Sequence, residues 1–142
     1  MLSSVRCVRV IAICLIALLA AGCGMSSAKP KAESAMAAFH TQLNAGDLDA
    51  IWNAADDAFR SSVKRDQYDK IFGAVHRKLG NVVKTATVNW SVNSRNLRTS
   101  VVLVQDTQFE HGSGSETFTY VVSGDEVRLV AYNIQSSDLI TL

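Results

Sequence analysis

From Met36 onwards the apolar positions fall first at helical and then at strand spacing. Met36, Phe39 and Leu43 recur at i, i+3 and i+7, and Gly46 closes the pattern. Asp47 stands where a cap belongs, ahead of a second stripe of Leu48, Ile51, Trp52 and Ala55. The strongest stripe runs through Tyr68, Ile71, Phe72, Val75 and Leu79, with Gly80 placed as a left-handed terminator. The period then drops to two. Ala86, Val88, Trp90 and Val92 alternate with Thr85, Thr87, Asn89 and Ser91, which predicts a half-buried strand. Residues 97–109 hold the run Val101-Val102-Leu103-Val104, apolar on both faces, and 116–122 alternate again through Phe118, Tyr120 and Val122. Val127 to Ile134 completes the set behind the turn signal Ser123-Gly124-Asp125-Glu126.

Three helices followed by four strands joined by short links predict an α+β domain, its helices packed on one face of an antiparallel meander. The second and fourth strands carry apolar residues on both faces, so the face away from the helices is expected to be only partly wet. Val130, Tyr132 and Ile134 are the residues expected there, forming an interface with a second copy or an envelope protein.

Composition narrows the function classes. A chain of 142 residues with 48% apolar residues, one proline and a net charge of +1 fits one globular domain. That balance argues against a nucleic-acid binder. Residues 60–84 hold seven basic residues against two acidic ones, and 85–142 hold three against six. The third-helix side is thus the positive one. It is either an ordinary solvated face or a surface that meets anionic headgroups.

The first 22 residues read as an export signal. Arg6 and Arg9 precede twelve apolar residues (10–21), too few to cross a bilayer at ~20 residues per span. Leu19-Ala20-Ala21-Gly22-Cys23 resembles the lipobox of bacterial lipoproteins, with Ala20 where a branched residue is commoner. The resemblance implies cleavage before Cys23, acylation of its thiol and a lipid anchor facing the periplasm. Gly24 in place of an aspartate favours the outer membrane over the inner. Cys7 and Cys14 would leave with the signal, so the mature domain would have no thiol for a disulfide, redox chemistry or a metal. Residues 23–32, with the only proline, are expected to be a lipidated cysteine and flexible tether, and 33–142 the domain.

Several motifs bear a wider resemblance. A helix ending in Leu43-Asn44-Ala45-Gly46-Asp47, a helix ending in Leu79-Gly80 and the closing strands together resemble the nuclear-transport-factor-2-like superfamily. Leu79-Gly80-Asn81-Val82-Val83, the stretch from Phe109 to Thr117 and Gly124 to Ile134 look most like the bacterial domain-of-unknown-function family numbered 4019. Gly124, Arg128 and Tyr132 match its closing pattern, whereas Val127 and Ala131 stand for a tryptophan and a glycine. The resemblance covers roughly residues 35–135. It implies a cone-shaped (cystatin-like) domain in which three helices and a strongly curved four-stranded sheet enclose a pocket. Dimers through the sheet are common in the superfamily, and no reaction is implied.

Candidate chemistry is sparse. Acid/base work of an isomerase or dehydratase would fall to Glu116 or Asp56, with Asp57, His40, His76, Tyr68, Tyr120 and Tyr132 as further candidates. The plainer reading makes the two aspartates caps or solvated partners of Arg60, and the aromatics core. No His, Cys, Asp and Glu set has ligand spacing, His111 beside Glu110 and Glu116 included, so neither metal nor cofactor is expected. Expected functions are therefore non-catalytic binding of a small apolar ligand or an envelope protein, an acid/base enzyme, or a structural dimer. Trp52, Phe72, Trp90 and Tyr120 are the residues expected to line a ligand pocket inside the cone.

Overall fold

The computed structural model describes residues 23–140. Among the described residues four helices come first, where three were expected: α1 (Cys23–Asn44), α2 (Leu48–Ala54), the short added α3 (Asp57–Ser62) and α4 (Arg65–Leu79). Four strands follow, β1 (Val82–Arg95), β2 (Arg98–Phe109), β3 (Gly112–Ser123) and β4 (Glu126–Gln135), then a 3-10 turn at Ser137–Leu139. The strands form one antiparallel sheet in the order β1-β2-β3-β4, so the expected α+β meander is present.

The first helix corrects the expected tether. Residues 24–32 are helical and continuous with the stripe, and Ala28 and Ala32 are buried with Met36, Phe39 and Leu43. Alanine is the strongest helix former yet adds little to an apolar pattern, and Pro30 lies on the exposed side, where it removes one backbone donor without entering the core. The expected signal, residues 1–22, lies outside the described residues, as does the Cys23 side chain.

Aspartates start the two short helices. Asp47 Oδ1 accepts from the Ala50 amide and Asp56 Oδ1 from the Ala58 amide, each at 3.0 Å. Gly80 ends α4 at φ +75, and a Cβ there would come within 2.6 Å of a Glu110 carboxylate oxygen.

Register decides which side chains face the helices. On β2, Val101, Leu103, Gln105, Thr107 and Phe109 point inward, and on β3 Glu116, Phe118, Tyr120 and Val122 do. Tyr132 lies opposite Phe118 and Leu129 opposite Tyr120, so Val130 is the extra residue of a bulge. That bulge overturns the expected interface. Tyr132 packs into the core with Phe39 and Phe72, Ile134 packs beside Val75, Leu79 and Phe109, and only Val130 of the three reaches the outer side. The outer face instead shows half-buried Val102, Val104, Thr117, Thr119 and Val121.

Candidate functional site

A polar row crosses the inner side of the sheet, beneath α1. Gln105 and Glu116 face each other across β2 and β3, and Thr107 lies opposite Thr85 of β1. Strand alternation places all four on the helix-facing side, among apolar neighbours, where each must find a partner. Glu116 is fully buried. Its Oε2 accepts from His40 Nε2 at 2.8 Å and from Thr107 Oγ1 at 2.5 Å, and its Oε1 accepts from Tyr132 Oη at 2.7 Å. The row continues outward. Thr85 Oγ1 lies 3.2 Å from both Thr107 Oγ1 and Gln105 Oε1, and the Gln105 amide group donates to Thr87 Oγ1 at 2.9 Å.

Two opposed effects act on Glu116. Burial, the largest single one, favours the neutral acid. The bond and charge of His40, with the bonds from Thr107 and Tyr132, outweigh it and hold the carboxyl below its ordinary value. Glu116 is therefore an anion at neutral pH with three donors on it. The Tyr132 phenol is pushed well up by burial and by that anion, so it stays a donor. A general base needs a free lone pair and a path to substrate. Glu116 is fully buried, and three of its acceptor sites are already taken by His40, Thr107 and Tyr132, so it presents no open path to a substrate in this arrangement.

The remaining sequence candidates are dispersed. Asp56 caps α3, with a further oxygen 3.7 Å from Arg98, and Asp57 pairs with Arg60. His76 bonds Asn81 at 3.2 Å, and His111 is exposed in the β2–β3 turn. Tyr68 donates to the Leu48 carbonyl at 2.9 Å. The four residues expected to line one pocket do not share one. Phe72 is core, 4.4 Å from Tyr68 and 5.3 Å from Tyr132. Trp52 packs against Tyr68, the rings tilted by 57° with centroids 4.9 Å apart, under the Arg65 guanidinium. Trp90 is 52% exposed on the edge strand, with Lys29 Nζ 5.3 Å above its ring. The interior that was to be a ligand cavity is filled with aromatic rings.

Concavities lie elsewhere. One of about 680 Å³ on the outer sheet face is lined by Val102, Val121 and Val130 with Arg95, Arg98 and Asp56 at its rim. Another, of about 820 Å³, sits at the opposite end of the sheet around Asp106, Ser113 and Asp138. A third, of about 200 Å³, opens between α1, α2 and the β3–β4 hairpin, and Tyr120 alone of the expected four belongs to it. His40, Glu116 and Tyr132 line none of these three.

Among the described residues, no cluster of three or more His, Cys, Asp or Glu side chains is placed to hold a metal ion, and no helix is long and apolar enough to cross a membrane. Comparison with protein-family models, with curated proteins and with solved structures finds no match for the chain.

His40 and Glu116 stand 76 positions apart, so no spacing rule joins them. Gln105 and Thr107, which complete the site, were overlooked because they follow a run read as apolar on both faces. The usable signal was their two-residue step from Leu103.

Proposed function

We propose that the chain is a bacterial envelope lipoprotein. It is acylated at Cys23, faces the periplasm from the outer membrane, and carries a non-catalytic interaction domain of the nuclear-transport-factor-2-like kind. Its working surface is the outer face of the sheet, paired with a second copy or with an envelope protein. One observation carries this reading: the only fully buried acid among the described residues is bound by three protein donors and lines none of the three concavities described, while the outer face shows valine where alternation would place polar residues. Val102, Val104 and Val121 lie together on two neighbouring strands, and Thr117 and Thr119 fill the gaps between them. The valines gain by leaving water, and the two threonine hydroxyls would need partners across the contact.

Photo-crosslinking in cells tests the reading. A photoreactive residue at Thr119 should give a protein adduct, and one at Gln67, exposed on α4, should not. Adducts from Gln67 alone would move the partner to the helical side and overturn the proposal. In the same cells a palmitate analogue should label the chain and fail to label Cys23→Ser. Labelling that persisted in the variant would remove the anchor from the account.

A further inference from the structure

We propose that the crevice between α1, α2 and the β3–β4 hairpin is a binding site for a small neutral apolar molecule carrying one hydrogen-bond acceptor, which the Tyr120 hydroxyl meets. The inference is independent of the anchor and of the outer sheet face.

Three observations converge on it. The crevice measures about 200 Å³ and its wall comprises Ala35, Ala38, Gln42, Ile51, Tyr120 and Leu129 with their apolar neighbours. Space exists because α1 presents alanines where it passes the hairpin, and a larger side chain at Ala38 would fill it. The second observation is an orphan. Tyr120 is 3% exposed, and its hydroxyl has no hydrogen-bond partner among the described residues. Every neighbour of the polar row contrasts with it, since Thr85, Thr87, Thr107 and Tyr132 all have partners. A buried hydroxyl left unbonded is costly, so native structures leave few without a reason. The third is the charge pattern. No ionisable side chain other than Tyr120 lines the crevice, and the anionic Glu116 lies four residues away on the same face of β3, beyond Phe118.

These features select the ligand. Burial and the Glu116 charge keep Tyr120 a phenol, which offers its proton and so calls for an acceptor. A carboxylate ligand would enter a site with no cation and an anion nearby, so a ketone, ester or ether is favoured over an acid. Size sets the rest. An apolar protein cavity of ~150 Å³ takes up benzene, so about 200 Å³ suits a substituted ring or a short chain.

The test uses the full chain in amphipol, titrated with 4-fluoroacetophenone and, separately, with 1-ethyl-4-fluorobenzene, each followed by fluorine NMR against amphipol alone. The two probes are close in size and differ in the carbonyl. The ketone is expected to bind about five- to tenfold more tightly than the hydrocarbon, the worth of one hydrogen bond. Tyr120→Phe should abolish that preference while leaving the hydrocarbon unchanged. Ala38→Leu, on an exposed helical position, should weaken both probes. Failure of both probes to bind would overturn the proposal and leave the crevice to water. A ketone preference that survives in Tyr120→Phe would overturn it too, since the acceptor would then meet another group.

Discussion

At the scale of single residues, two tyrosines on neighbouring strands make opposite predictions. Tyr132 donates to the Glu116 anion, whereas the Tyr120 hydroxyl has no partner. Removing the same atom from each should therefore differ in sign. Tyr132→Phe should cost about 1–3 kcal/mol, because a charged acceptor loses a donor. Tyr120→Phe should be neutral within about 0.5 kcal/mol or stabilising. Urea unfolding of both variants at pH 7 measures the difference, and equal losses would contradict the bonding described. Glu116 itself sets a pH dependence. Its folded-state value is lowered from about 4.5, so the unfolded chain takes up a proton first as the pH falls. The stability it contributes is complete above about pH 5.5 and is lost as the pH drops through the native value. Glu116→Gln should lower stability at pH 7 by about 1–3 kcal/mol and flatten the decline that sets in below about pH 5. Unfolding midpoints across that range check it. A decline as steep in the variant would assign the acid sensitivity to other groups. The sequence pointed to Glu116 and His40 separately as chemistry-bearing residues. Their union is a tertiary contact between α1 and β3, and no local pattern encodes it.

At the scale of elements, the helices and strands were legible wherever large apolar residues kept a strict period. The stripes at 68–79 and the alternation at 116–122 lie within α4 and β3. Legibility failed where the core is made by small side chains or where the period slips. The first helix begins at Cys23, well ahead of Met36, because its early turns pack through Ala28 and Ala32. Ala32→Leu should therefore destabilise the fold by about 1–3 kcal/mol through overpacking. A thermal melt unchanged from the native chain would instead restore the tether. The second failure is the bulge at Val130, which adds one residue and turns Tyr132 and Ile134 inward. A strict two-residue period cannot detect such an insertion. The β1–β2 hairpin shows the reverse case, a local sequence at odds with its geometry. Asn96 and Leu97 both have positive φ, and Leu97 is 99% exposed. A tight turn of this kind prefers asparagine followed by glycine. Leu97→Gly should raise stability by about 1 kcal/mol, read as a shift in the urea midpoint at constant slope.

At the scale of the whole molecule, the sheet divides the domain into a finished side and an unfinished one. Its inner face, α1 and α4 close over an aromatic cluster and a hydrogen-bonded polar row in which Glu116 is fully buried. The outer face has no covering element among the described residues and shows Val102, Val104 and Val121, with Arg95 and Arg98 toward one end and Asp106 and Asp138 toward the other. A second copy related by a two-fold axis would bring the valines of the two faces together at the centre. The order of elements and the antiparallel meander were readable from the sequence because both follow from short links. Which β4 residues face outward was not, since that depends on the register that the bulge at Val130 shifts. The central claim is that this outer face is covered in the working molecule. Native mass spectrometry of the full chain beside Val104→Lys tests it most directly. The account predicts a dimer for the native chain, or a stable complex recovered from the envelope, and a monomer for the variant. A native chain that stays monomeric at every concentration and carries no protein partner would contradict it.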